Sequence, residues 1–309
     1  MGIAVIIPAY NAERTIGAAV QSALLQSHPI DEVIVVDDGS IDNTANIVGG
    51  MQNPVRLIQQ KNLGPSAARN AGLRAAKSEF VAFLDSDDFW LPHKIAAQMS
   101  MFDYEERVAA VTCSFEVRTK ALSGEKSRIV LLRNELISNL LPIEFAVMPR
   151  MPPSTVVVNR RVIGDLQFPE EIREGEDLVF FGLVRTHGLI CCADVVGSVR
   201  VIHDSQVTAQ PGSFRRDLIS RRRWIIDNYS KLGIATSVDA ENRFWDAARK
   251  HVWNPYWARD FKSYRRIRKE FLEACPNDCL AAAGLPAPIL PEWVYRLKDA
   301  FDRIFDRGR

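Results

Sequence analysis

The sequence predicts an α/β fold on a mainly parallel, mixed sheet, followed by a helical C-terminal subdomain. Three observations carry this reading. Short continuous apolar runs alternate with helix-periodic segments over residues 1–105, the mark of βαβ units. Each apolar run ends in a loop rich in Pro, Asn, Asp or Gly. Past the break Gln210-Pro211-Gly212, helical patterns dominate.

The elements follow in order. Ile3–Pro8 is a strand ending in Pro8-Ala9-Tyr10-Asn11, and Ala12–Gln26 has helical spacing with Ile16, Val20, Ala23 and Leu24 on one side. Glu32–Val36 is a second strand, ending in Asp37-Asp38-Gly39-Ser40. A helix follows from Asp42, capped by Asp42 or Ser40. Val55–Ile58 is a third strand, and Pro65 suits the first turn of a helix over Ser66–Lys77. Phe80–Leu84 is the fourth strand, and its apolar run leads directly into Asp85-Ser86-Asp87-Asp88. After residue 107 the rhythm changes. Val108–Val117 and Ile129–Leu132 read as strands around a polar loop, Lys120–Arg128; Ser154–Asn159 and Val195–Ile202 are further strands, with a helix over Glu174–Thr186 between them. Helical patterns cover 214–231, 239–252, 256–274 and 291–306. The expected organisation is one domain over 1–212, with a nucleotide half to 105 and an acceptor half over 106–212, then a helical subdomain over 213–309.

Composition excludes several classes. A net charge of +1 gives no overall polyanion-binding character, so no nucleic-acid partner is expected. Charge is unevenly placed, however: residues 1–212 hold 19 Lys/Arg against 25 Asp/Glu, and residues 213–309 hold 20 against 13. The C-terminal part also holds five of the six Trp, and clusters such as Arg221-Arg222-Arg223-Trp224 could meet anionic lipid head groups. Five scattered cysteines suit reduced thiols in a cytoplasmic protein, and no stretch approaches the length of a membrane span. Oligomeric state is left open.

Four loops at the carboxyl ends of consecutive parallel strands converge on one sheet edge, where open α/β sheets bind ligands. Together they offer what a nucleotide needs. Tyr10 can stack on a base, Asp38 can accept from an imide N–H, Gly64 lets the backbone approach closely, and Arg69 offers a fork for phosphate. Asp85 and Asp87 offer hard oxygen ligands for ribose and a divalent cation; the alternative is a plain turn whose Asp88 caps the helix beginning near Leu91. Asp37 reads as a turn organiser.

Pro8-Ala9-Tyr10-Asn11, Val35-Val36-Asp37-Asp38-Gly39-Ser40, Gly64-Pro65-Ser66-Ala67-Ala68-Arg69-Asn70 and Phe83-Leu84-Asp85-Ser86-Asp87-Asp88 occur in that order. This set resembles the N-terminal half of family 2 glycosyltransferases with the GT-A fold. Glu174-Gly175-Glu176-Asp177 resembles the family's acidic pair at the start of a helix.

The resemblance implies a GT-A-type nucleotide-binding domain and an inverting, metal-dependent sugar transfer from a nucleotide sugar, usually a UDP-sugar. The acceptor would be a saccharide or lipid-linked saccharide in polysaccharide or glycoconjugate synthesis, which suits a cytoplasmic enzyme at the inner membrane surface. It implies nucleotide binding by Pro8, Ala9, Tyr10, Asn11, Asp38, Gly64, Arg69, Asp85 and Ser86, and Mn²⁺ or Mg²⁺ at Asp87. His203, past a late strand, resembles a histidine that some members place near the metal. Asp177 is implied as the base taking the acceptor proton, with Glu176 as the alternative. Two rivals stay open: a non-catalytic nucleotide-sugar-binding protein, and a nucleotidyltransferase. The latter would favour a Gly-rich triphosphate loop that Pro8–Asn11 does not supply. A dinucleotide oxidoreductase is disfavoured, because no Gly-x-Gly-x-x-Gly follows the first strand.

Overall fold

A computed structural model describes residues 2–103, 107–121, 124–138, 142, 151–172, 175–202, 242, 245, 249 and 268. The chain divides into two compact units, Met1–Pro211 and Gly212–Arg309. The helices expected beyond residue 212 lie outside the described residues, four isolated positions aside.

The first unit is a mixed α/β fold on one mostly parallel sheet. Its elements are β1 (Ile3–Ala9), α1 (Ile16–Leu24), β2 (Glu32–Asp37), α2 (Thr44–Gly49), β3 (Val55–Gln59), α3 (Pro65–Ala75), β4 (Phe80–Phe83), β5 (Phe89–Trp90) and α4 (Lys94–Phe102). There follow β6 (Val108–Ala121), β7 (Gly124–Val130), α5 (Asn134–Ser138), a 3₁₀ turn at Pro153–Thr155, β8 (Val157–Asn159), α6 (Arg160–Ile163), α7 (Glu176–His187) and β9 (Leu189–Ile202). The sheet order is β3-β2-β1-β4-β8-β6-β9-β5, with β7 paired to β6. Strands β1 to β4 run parallel, as do β6 and β9; β8 enters antiparallel between β4 and β6.

The strands alternate between two cores because successive side chains point to opposite faces. Ala4, Ile6, Ile34, Val36, Val81 and Phe83 pack on one face with Phe168, Phe180 and Phe181. Ile3, Val5, Ile7, Val33, Val35, Phe80 and Ala82 pack on the other against α1. Burial on both faces explains why these strands read as unbroken apolar runs. Helix α3 lies close over β1 at Gly72, where a Cβ would stand 2.4 Å from Ile6 Cγ2.

Four sequence expectations are corrected. Ala19, not the more exposed Leu24, completes the buried stripe of α1. The stretch read as a polar loop, Lys120–Arg128, is mostly hairpin: Arg118 pairs with Ser127 and Val117 with Arg128 across β6 and β7. Ala121 and Leu122 are the only hydrophobic residues of that stretch, so the alternation that marks a strand is absent. Ser154 and Thr155 belong to a 3₁₀ turn preceding β8, fixed by Thr155 Oγ1 donating to the Pro152 carbonyl. Asp88 does not cap a helix, since α4 starts at Lys94 and the Asp88 carboxylate is engaged elsewhere.

Lys94 is fully buried; its ammonium donates to Gln98 Oε1 at 2.7 Å and lies 4.1 Å from the centre of the Trp90 ring. Burial pulls its pKa from 10.5 to about 8, with the Cys113 sulfur opposing. Both folded and unfolded chains hold this proton below pH 8, where the cost of the buried charge is complete. Between pH 8 and 10.5 the unfolded chain holds more protons, so stability rises with pH there by about 3 kcal/mol from this residue. Urea midpoints at pH 8 and pH 10 check it: Lys94→Met should remove the wild-type rise.

Candidate active site

Strands β2 and β3 leave β1 on one side, and β4 returns on the other. The crevice between the carboxyl ends of β1 and β4 is therefore the switch point where open α/β sheets take their ligands. Four loops meet there.

Pro8 and Ala9 close β1, and the Ala9 carbonyl accepts from the Asp38 N–H at 2.8 Å. Tyr10 follows, 49% exposed, which keeps an aromatic face accessible for stacking. Asn11 adopts φ 49°, a conformation Asn tolerates better than most residues. Its N–H donates to Ser40 Oγ (2.9 Å) and its Oδ1 accepts from the Ile41 N–H (3.0 Å). Asp37 is buried and accepts from the Ser40 N–H at 3.1 Å, so it organises the turn.

Asp38 is 4% exposed. Its Oδ1 accepts from Gln60 Nε2 (2.7 Å) and the Leu63 N–H (2.9 Å), and its Oδ2 from the Gly64 N–H (2.8 Å). Three of about four acceptor positions are thus spent on the loop between β3 and α3, and one on Oδ2 is left. Gly64 sits at φ 94°, open to a non-Gly residue only with strain, and leads into Pro65 at the start of α3.

Arg69, on α3, is the hub of the acidic corner. Its two terminal nitrogens donate to Asp85 Oδ1 and Glu176 Oε1, each at 2.9 Å, and its guanidinium lies 5.2 Å from the centre of the Phe168 ring. Burial would weaken the cation, but Asp85 and Glu176 outweigh it and its pKa rises. The fork of Arg69, expected to meet phosphate, is turned onto two carboxylates in this structure. Asp85, Ser86 and Asp87 follow β4, all half-buried. Asp88 is buried and takes hydrogen bonds from Ser154 Oγ and the Val201 N–H.

Glu176 and Asp177 open α7 behind Gly175, and their surroundings separate them. Glu176 is committed to Arg69. Asp177 accepts only the Leu178 N–H among the described contacts, at 2.9 Å. Burial, then the Glu176 charge, pushes its carboxyl up to about 7 against the pull of Arg69. Part of the Asp177 surface nonetheless stays open.

The structure thus draws Tyr10, Asp38, Gly64, Asp85, Ser86 and Asp87 to one sheet edge, and Arg69 ties Glu176 to it. His203 lies outside the described residues. Among the described residues no group of three His, Cys, Asp or Glu is placed to hold a cation alone. Sequence reasoning missed Gln60, Ser154 and Phe168. Gln60 and Phe168 carry no motif, and the apolar run after Ser154 points to a strand, not to a polar anchor.

The profile of glycosyl transferase family 2 matches residues 4–161, just over half of the chain. The chain belongs to glycosyl transferase family 2. Relatives agree. An uncharacterised glycosyltransferase of Rickettsia conorii is 28% identical over 229 residues, covering 73% of this chain and 37% of that protein. A UDP-Glc:alpha-D-GlcNAc-diphosphoundecaprenol beta-1,3-glucosyltransferase of Escherichia coli, WfaP, is 31% identical over 173 residues, 54% of this chain and 64% of that one. The chain thus spans about a third to two thirds of these curated relatives. S. aureus TarS 1-349, solved with UDP-GlcNAc, superposes with a TM-score of 0.57 at 19% identity, over 88% of this chain and 92% of that one. That likeness establishes a GT-A-like fold. The matched stretch contains the four loops of this sheet edge, Arg69 and Ser154, while Glu176 and Asp177 lie past its end.

Proposed function

We propose that this glycosyltransferase moves a sugar, with inversion, from a UDP-sugar to an acceptor hydroxyl, helped by a divalent cation. One observation carries the reading. A single buried guanidinium joins the Asp85 loop to the helix that bears Asp177, so donor edge and candidate base form one site. Glycosyl transfer needs that pairing: a place for the leaving diphosphate and a carboxylate facing the incoming hydroxyl. A base near pKa 7 is deprotonated at working pH yet strong enough to take a proton in the transition state.

The donor set suits Mn²⁺ or Mg²⁺. Asp87 and Asp85 offer hard carboxylate oxygens at a partly open turn, and such cations are commonly held by one or two carboxylates plus substrate phosphates. Bound there, the cation would stabilise the charge gained by the diphosphate. Asp38 keeps one acceptor position for the imide N–H of uracil, and Tyr10 stacks on the base. One displacement with one base and no separate nucleophile gives inversion. The E. coli relative's diphosphoundecaprenol substrate supports a lipid-linked saccharide acceptor in polysaccharide synthesis, reached from the cytoplasmic face of a membrane. No helix among the described residues is long and apolar enough to cross a membrane.

Isothermal titration of UDP with and without Mn²⁺ tests the reading. UDP should bind more tightly with Mn²⁺, and Asp87→Ala should erase that difference. Equal binding under both conditions in the wild type would end the cation-dependent assignment.

A further inference from the structure

We propose that Ser154 and Asp88 form a latch that positions the cation-bearing turn and the end of β9 as one unit. This rests on the reading of Asp87 above. One buried hydroxyl serves two partners: Ser154 Oγ donates to Asp88 Oδ2 at 2.7 Å and accepts from the Asp85 N–H at 3.1 Å. The Asp88 N–H closes the turn on the Asp85 carbonyl at 3.0 Å. Asp88 Oδ1 accepts from the Val201 N–H at 3.1 Å, one residue before β9 ends.

The anchor beneath is rigid. The Ser154 carbonyl accepts from Trp90 Nε1 at 2.7 Å, and the Thr155 carbonyl from Gln98 Nε2 at 2.8 Å. Ser154, Trp90 and Asp88 are all at most 4% exposed. Residues distant in sequence thus converge on one hydroxyl and one carboxylate, and nothing in the nucleotide crevice is needed to hold them.

Both Asp88 oxygens carry protein donors, Ser154 Oγ and the Val201 N–H. Asp88 is a strut, buried with both oxygens engaged. Loss of the Ser154 hydroxyl frees the Asp85 N–H and strips a donor from a buried carboxylate, a defect that relaxes the turn. Because the same carboxylate holds Val201, the end of β9 loosens with it.

The test uses the full chain with Ser154→Ala and Asp88→Asn. Hydrogen exchange is followed over residues 85–90 and 198–202, and Mn²⁺-dependent UDP binding is titrated. Ser154→Ala should speed exchange in both segments together and weaken the Mn²⁺-dependent binding about tenfold. Asp88→Asn can still accept from Val201 and donate to Ser154 Oγ, so it should keep cation affinity near wild type. Unchanged exchange in Ser154→Ala overturns the latch. So does an Asp88→Asn loss as large as that of Asp87→Ala, which would assign Asp88 to the cation itself. If Ser154→Ala does not fold, Asp88→Asn decides alone. A wild type that binds no Mn²⁺ with UDP sinks the proposed function, and exchange still judges the latch.

Discussion

Asp177→Asn should lower turnover by about 10²–10⁴-fold, the usual contribution of a positioned base, while UDP affinity holds. The pH profile gives a second signature. Wild-type turnover should rise as pH climbs through about 7, because the carboxylate form does the work. Burial is the first cause of that raised value and the Glu176 charge the second. Stability has the opposite sign. The folded chain keeps the Asp177 proton to a higher pH than the unfolded chain, whose carboxyl titrates near 3.8. The stabilising contribution is complete below pH 3.8 and is lost as pH rises through about 7. At pH 8 the charged side chain is a net cost, so Asp177→Asn should melt higher than wild type while turning over far more slowly. Turnover above half of wild type in this variant would remove Asp177 from the role. A loss confined to Glu176→Gln would move the role to its neighbour.

Arg69→Ala should cost about 3–5 kcal/mol of stability, because it leaves buried carboxylates without their counter-charge. Asp85 and Glu176 each lose a 2.9 Å charge-assisted hydrogen bond, and Phe168 loses the cation over its ring. Activity should change in a specific way. Arg69 pulls the Asp177 pKa down, so without it the rising limb of the pH–rate profile moves to higher pH. Arg69→Lys should fall between the two, since a single ammonium cannot hold both carboxylates as a planar fork does. Thermal melts and pH–rate profiles of both variants check this. An unshifted limb in a folded Arg69→Ala would show that the Arg69 charge does not reach Asp177.

The strands and loops of this sheet edge were largely legible in the sequence. Asp38, Gly64, Asp85 and Asp87 follow apolar runs that are strands because they are buried on both faces, and such runs carry a strong local signal. The second half was harder. The β6–β7 hairpin looked like a loop because its polar residues need no core partner, and β5 is two residues long. Gln60 could not be singled out, because its partner Asp38 is 22 residues away and one Gln carries no pattern.

Residue order by itself determined the βαβ rhythm, the loops that gather at one sheet edge and the acidic pair that opens a helix. Those follow from hydrophobic period and turn chemistry, which act over a few residues. Only the tertiary structure decided which partners the charged groups meet. Arg69 meets Glu176 across 107 residues and Asp88 meets Val201 across 113. Whether a carboxylate is a ligand, a strut or a base is set by burial and by the charges beside it, and those neighbours are chosen by the fold.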